Sequence, residues 1–133
     1  MIQLRTVEIE KDYPTFERWW VKHQGVTVPM NILPKLGVVA EQDGRGIAAA
    51  WLYMANCGTG VCWASWHVTN PAIPPKTAEA GLREVQGHLE RLAKEMGYGI
   101  MFTQTNRPSL IRWFKLRNFI ANHTNCVQLF RTL

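Results

Sequence analysis

Residues 36–54 read LGVVAEQDGRGIAAAWLYM. Two strand-like apolar runs, Leu36–Glu41 and Ile47–Ala55, flank the turn Gln42-Asp43-Gly44-Arg45-Gly46. Asp-Gly between such runs is a strong hairpin signal, because both residues accept the positive φ that a tight antiparallel turn needs. The next turn, Asn56-Cys57-Gly58-Thr59-Gly60, leads into a third run, Val61–Thr69. An antiparallel meander is therefore predicted. Alternation along the third run puts Cys62, Ala64, Trp66 and Val68 on one face, and Trp63, Ser65, His67 and Thr69 on the other.

Upstream, Ile2–Glu8 reads as a first strand. Asp12 is a candidate N-cap with Pro14 in the first turn, and Tyr13–Gln24 carries Phe16, Trp19 and Trp20 at helical spacing before Gly25. Adjacent Trp19 and Trp20 are not expected to face inward together. One should sit at a pocket rim or an interface, as in a homodimer. Residues 26–34, VTVPMNILP, are broken by two prolines and suit a short helix or loop lining a cleft.

Downstream, Asn70–Pro75 is too proline-rich for regular structure. Ala78, Leu82, Val85, Leu89, Leu92 and Met96 then mark one stripe of an amphipathic helix ended by Gly97. Gly99–Thr105 reads as a strand, and Pro108–Arg117 as a short helix closed by Asn118. Phe119–Asn122 and Cys126–Thr132 read as two final strands.

The chain has 133 residues, 47% apolar and 19% charged, which is the composition of one globular domain over 1–133. No apolar run is long enough for a membrane span, and the charged N-terminus has no secretory h-region. Cys57, Cys62 and Cys126 lack metal-ligand spacing, so no metal site is expected and a cytoplasmic setting fits. The net charge is +5. All of the excess lies after residue 75, and from Arg107 onward there are five cations and no carboxylate. A basic segment at 107–117 suits a polyanion, either a phosphate-bearing cofactor or nucleic acid, and equally reads as a solvated face.

In element order, and in the stretches LGVVAEQDGRGIAAAWLYM, TNRPSLIRWFKLRNFI and VQLFRTL, nearly the whole chain resembles the GNAT superfamily of N-acetyltransferases. The resemblance implies an α+β fold: a mixed central sheet of six to seven strands flanked by three to four helices. It also implies acetyl-CoA, or another acyl-CoA, as cofactor, and an amine of a small molecule or protein as acceptor. The family's cofactor loop falls on Pro75-Lys76-Thr77-Ala78-Glu79-Ala80, where the usual first polar residue is Pro and the glycine is Ala. Proline supplies no N–H to a pyrophosphate at a helix N-terminus. Cofactor contacts are expected from Val68, Thr69, Lys76, Thr77, Ala78, Ala80, Gly81, Asn106 and Ser109. Gly81 reads more readily as a packing position, and Asn106 also as a helix N-cap. Phe114 stands where many relatives carry a proton-donating Tyr.

Acyl transfer needs a base and oxyanion donors. His67 is the candidate base, since an ordinary imidazole titrates near neutral pH, and Ser65 is the candidate for orienting water or substrate. The plainer reading of both is hydrogen bonding within a Trp-rich surface. The alternative function is a catalytically silent module of this fold, of the compact kind also found in phage genomes, binding a protein or nucleic acid. A nucleic-acid-modifying enzyme ranks last, for want of a recognition motif.

Overall fold

The computed structural model describes residues 1–133, which form two compact units, Met1–Thr103 and Gln104–Leu133. In the first unit the order is β1 (Ile2–Thr6), α1 (Ile9–Gln24), a 3-10 turn (Met30–Ile32), β2 (Gly37–Gln42), β3 (Arg45–Met54), β4 (Val61–Thr69), α2 (Pro75–Glu95) and β5 (Ile100–Phe102). The strands lie side by side in chain order. β2 to β4 pair antiparallel, as the turn chemistry predicts; β1 adds antiparallel to β2, and β5 parallel to β4. Asp43 and Gly44 take positive φ, 53° and 74°, at the hairpin tip.

The sheet has a helix on each face. α1 covers Val39, Ala49, Trp51 and Val68. It begins at Ile9, earlier than expected, and Asp12 is not its N-cap. Asp12 instead works from inside the first turn, accepting the Glu8 N–H at 2.8 Å while Arg5 grips both carboxylate oxygens at 2.7 and 2.9 Å. Arg5 also reaches Glu41 on β2 at 3.0 Å, so one guanidinium ties β1, β2 and α1 together. Contrary to expectation, Trp19 and Trp20 are both buried. Trp20 meets Trp51 at 5.4 Å between ring centroids, while Trp19 fits over Gly46, where a Cβ would come within 3.1 Å of the indole. The missing side chain is what gives the second ring room.

α2 covers the other face with the predicted stripe: Ala78, Leu82, Val85 and Leu89 are buried. Leu92 is half-buried and Met96 exposed, so the stripe fades over the last turn. A register shift in the β2–β3 pair turns both Ile47 and Ala48 toward α2. No helix is long and apolar enough to cross a membrane.

The second unit is built on α3 (Pro108–Leu116). Phe114 is buried between Trp113 and Phe119, at 5.1 and 5.0 Å, and Asn118 takes the left-handed conformation at φ 69°. The two final strands expected at Phe119–Asn122 and Cys126–Thr132 do not form, so the sheet has five strands, not six or seven. Those runs are apolar enough, but a strand exists only where a neighbour supplies a ladder. Here Ile120, Val127, Leu129 and Phe130 are all exposed.

Candidate functional site

β4 is where the chemistry-bearing residues gather, and its regular alternation fails at one place. Ala49 pairs with Val68 and Trp51 with Ser65, so the single residue Ala50 faces two residues, Trp66 and His67. That is a β-bulge, with Trp66 at φ 62°. The extra residue reverses the faces beyond it. Ser65 shares the α1 face with its partner Trp51, whereas His67 points to α2. The two residues expected to share a catalytic face are therefore on opposite sides of the sheet.

On the α2 side, His67 Nε2 lies 2.7 Å from Gln86 Oε1, to which it donates. Gln86 Nε2 in turn donates to Glu90 at 3.0 Å. Loss of solvent pulls the imidazole down from 6.5 to about 4, with the Gln86 bond opposing the shift. On the α1 side, the Trp66 indole N–H donates to the Tyr53 hydroxyl at 2.7 Å, and that hydroxyl donates to the Ile32 carbonyl at 2.5 Å. Trp63 and Phe102 stack beside them at 6.0 Å.

The second feature is an open edge. β5 pairs only with residues 61–63 of β4. From Ala64 to Thr69 the outer edge of β4 has no partner strand, and it runs toward the start of α2. Asn70 fixes the connection: its Nδ2 donates to the Gly46 carbonyl at 2.9 Å, and its Oδ1 accepts the Ala72 N–H at 2.9 Å. This Asx turn anchors the proline loop to the β2–β3 hairpin.

At the head of α2, Pro75 has no N–H and the Ala78 N–H is bonded to the Pro74 carbonyl at 3.0 Å. Lys76 and Thr77 keep first-turn N–H groups without an intrahelical acceptor. Thr77 also lines a cleft of about 330 Å³ with Arg45, Asp43, Ile73 and Pro74. Lys76 is exposed and Ala80 half-buried, while Ala78 is buried in the stripe. Gly81 is a packing position: a Cβ there would lie 2.6 Å from the Ile47 side chain. Glu79 is paired with Arg83 and sits beyond the first turn. The Val68 side chain belongs to the core, and the Thr69 carbonyl is 2.9 Å from His23 Nε2. Thus Val68 can offer a ligand its main chain but not its side chain, while the Thr69 carbonyl is already engaged by His23.

In the second unit, Asn106 is exposed ahead of α3 and is not its cap, which falls on Arg107. Ser109 is exposed in the first turn of α3. Phe114 is buried against Trp113 and Phe119. Sequence reasoning missed Arg45, Asn70 and Gln86. Asn before Pro is a legible turn signal, and Gln86, polar next to Val85 in the buried stripe, marks a core polar contact.

No protein-family model matches the chain, and no curated protein sequence matches it. Solved structures do. A transcriptional regulator from Bacillus halodurans superposes with TM-score 0.75 at 15% identity, over 98% of this chain and 100% of that one. A putative acetyltransferase from Agrobacterium tumefaciens gives 0.74 at 18% identity, over 97% and 99%. An aminoglycoside N-acetyltransferase in complex with CoA gives 0.63 at 13% identity, over 99% and 95%. A parallel fifth strand beside a half-paired fourth, the element order and these superpositions together give the chain the fold of the GNAT acetyltransferases.

Proposed function

We propose that the chain is an acyl-CoA-dependent N-acyltransferase, moving an acyl group to an amine of a small molecule or protein. The open edge of β4 over residues 64–69 carries this reading. A bare strand edge is a row of N–H and C=O groups that an amide-bearing arm such as pantetheine can pair with. It leads to the head of α2, where the Lys76 and Thr77 N–H groups suit a diphosphate and Arg45 adds a cation in the adjoining cleft. Asp43 in the same cleft opposes an anion, and Pro75 removes a donor, so the fit is weaker than a glycine-rich loop would give. Bound there, acyl-CoA supplies an acyl carbon activated by sulfur.

This chain's residues divide the remaining work by face. Ser65 lies on the aromatic face, where an acceptor would approach. His67 acts by position: its N–H is spent on Gln86, and an imidazole near 4 takes a proton poorly at neutral pH. The ammonium proton then leaves to water. Phe114 has no proton to donate, and Asn106 and Ser109 are assigned cofactor contacts through the family resemblance. The structural neighbour solved with CoA supports the cofactor class.

A thermal melt with millimolar acetyl-CoA tests the reading. Saturation at 100 times Kd should add about 2.7 kcal/mol of stability. Lys76→Pro, tolerated in a first turn but lacking the N–H, should cut that gain. No shift in the parent chain would overturn the proposal. A shift with no thiol released over a panel of amines would move it to a silent binding module. For the base assignment, His67→Ala should leave kcat within a few-fold; a drop of a thousand-fold with intact cofactor binding would restore His67 as base.

A further inference from the structure

The face that carries Ser65 has an unusual composition. Trp63 and Phe102 are neighbours across β4 and β5, stacked with ring planes 26° apart, and each keeps more than a third of its surface exposed, 36% and 37%. Tyr53 is the partner of Trp63 across β3, and its hydroxyl is held between the Trp66 indole and the Ile32 carbonyl. Met30 and Ile32 on the 3-10 turn are 45% and 43% exposed. Large apolar side chains exposed together mark a contact surface.

The charge pattern says what kind of contact. No Asp or Glu occurs in residues 18–40, 44–78 or 96–133. The 3-10 turn, β4, β5 and all of β3 therefore contribute no carboxylate to this face. Glu17 of α1 is engaged by the Tyr13 hydroxyl at 3.3 Å. A polycationic sugar amine needs several carboxylates to replace its hydration. A single ammonium on an aromatic body does not: ring faces attract it, and its own ring can stack.

We propose that the acceptor is an arylalkylamine, seated on Trp63 and Phe102 with its nitrogen toward Ser65. The proposal rests on the acyl-transfer reading. In the transfer the ammonium first gives one proton to water, the acyl carbon's bond to sulfur breaks as its bond to nitrogen forms, and the second proton lost by nitrogen balances the one gained by the thiolate.

The test uses the full chain with acetyl-CoA, comparing thiol release with phenethylamine and with a polycationic aminoglycoside. Phenethylamine should be preferred at least ten-fold in kcat/KM. Trp63→Ala should raise its KM ten-fold or more with kcat nearly unchanged and the acetyl-CoA melting shift intact, and Trp63→Phe should recover most of the loss. Preference for the aminoglycoside, or an unchanged KM in Trp63→Ala, overturns the inference while leaving acyl transfer standing. If acetyl-CoA gives no melting shift, the acyl-transfer reading fails, and the surface is judged by titrating phenethylamine against the Trp63 indole N–H resonance. A saturable shift there, absent in Phe102→Ala, upholds the aromatic site; no shift overturns it too.

Discussion

His67 and Asp12 are both titratable groups whose surroundings pull the pKa down, yet they guard different stretches of the acid limb. The desolvated imidazole titrates near 4 in the folded chain against an ordinary 6.5. The unfolded chain therefore takes up that proton first, and stability falls as pH drops from about 6.5 to 4, by up to roughly 3 kcal/mol. Above 6.5 the ring is neutral in both states and contributes no slope. Asp12 is held below its ordinary 3.8 by the Arg5 hydrogen bonds, so its contribution is present above that value and is lost below it, as the folded carboxylate protonates. Denaturant titrations at several pH values should show both limbs. His67→Gln should flatten the limb between 4 and 6.5 and leave the lower one; equal slopes in the two proteins would mean the ring is solvated. Asp12→Asn should cost about 1–3 kcal/mol at neutral pH, because the half-buried Arg5 would lose one of its two carboxylate partners and keep only Glu41.

At the scale of elements, close approach decides more than propensity does. Gly81→Ala ought to help an isolated helix by about 1 kcal/mol. In this chain it should instead lower stability by about 1–3 kcal/mol, since the new methyl would fall 2.6 Å from Ile47. A melting temperature equal to or above the parent's would show that α2 can move off the sheet freely. The same distinction explains what could be read from the residues. The meander was legible because Asp43-Gly44 dictates a turn locally, and α2 because its stripe repeats over several turns. The bulge at Trp66 was not: it is a count of residues against a partner strand, and neither strand's pattern contains it. Its cost to the reading of the site was large, because one inserted residue sends His67 to the face opposite Ser65. Trp19 and Trp20 misled for a related reason. Whether both indoles fit inside depends on Gly46, on another element, having no side chain. Phe119–Asn122 and Cys126–Thr132 show the converse, strand-like wording without a strand to pair with.

For the molecule as a whole, every buried hydrophobic residue except Phe114 lies within Met1–Thr103, which forms one compact unit. Its largest fully buried side chains are Trp51, Phe16, Ile47, Leu52 and Leu89. All lie on α1, β3 or α2. In the second unit Phe114 is buried and most of the remaining apolar residues are exposed. A chain ending at Thr103 is thus expected to melt cooperatively, with near-ultraviolet circular dichroism of its tryptophans retained and a melting temperature within about 5 °C of the parent's. Loss of the cooperative transition would show that the sheet depends on residues 104–133. The shortened chain also separates two parts of the cofactor assignment. It keeps the open edge of β4, Arg45 and the head of α2, and lacks Asn106, Ser109 and the basic segment 107–117. If the former group supplies most of the binding, the acetyl-CoA melting shift should survive truncation at reduced size. If the shift vanishes while the fold persists, the cations and amides of the second unit are what hold the anion, and the salt dependence of binding in the full chain should be correspondingly steep.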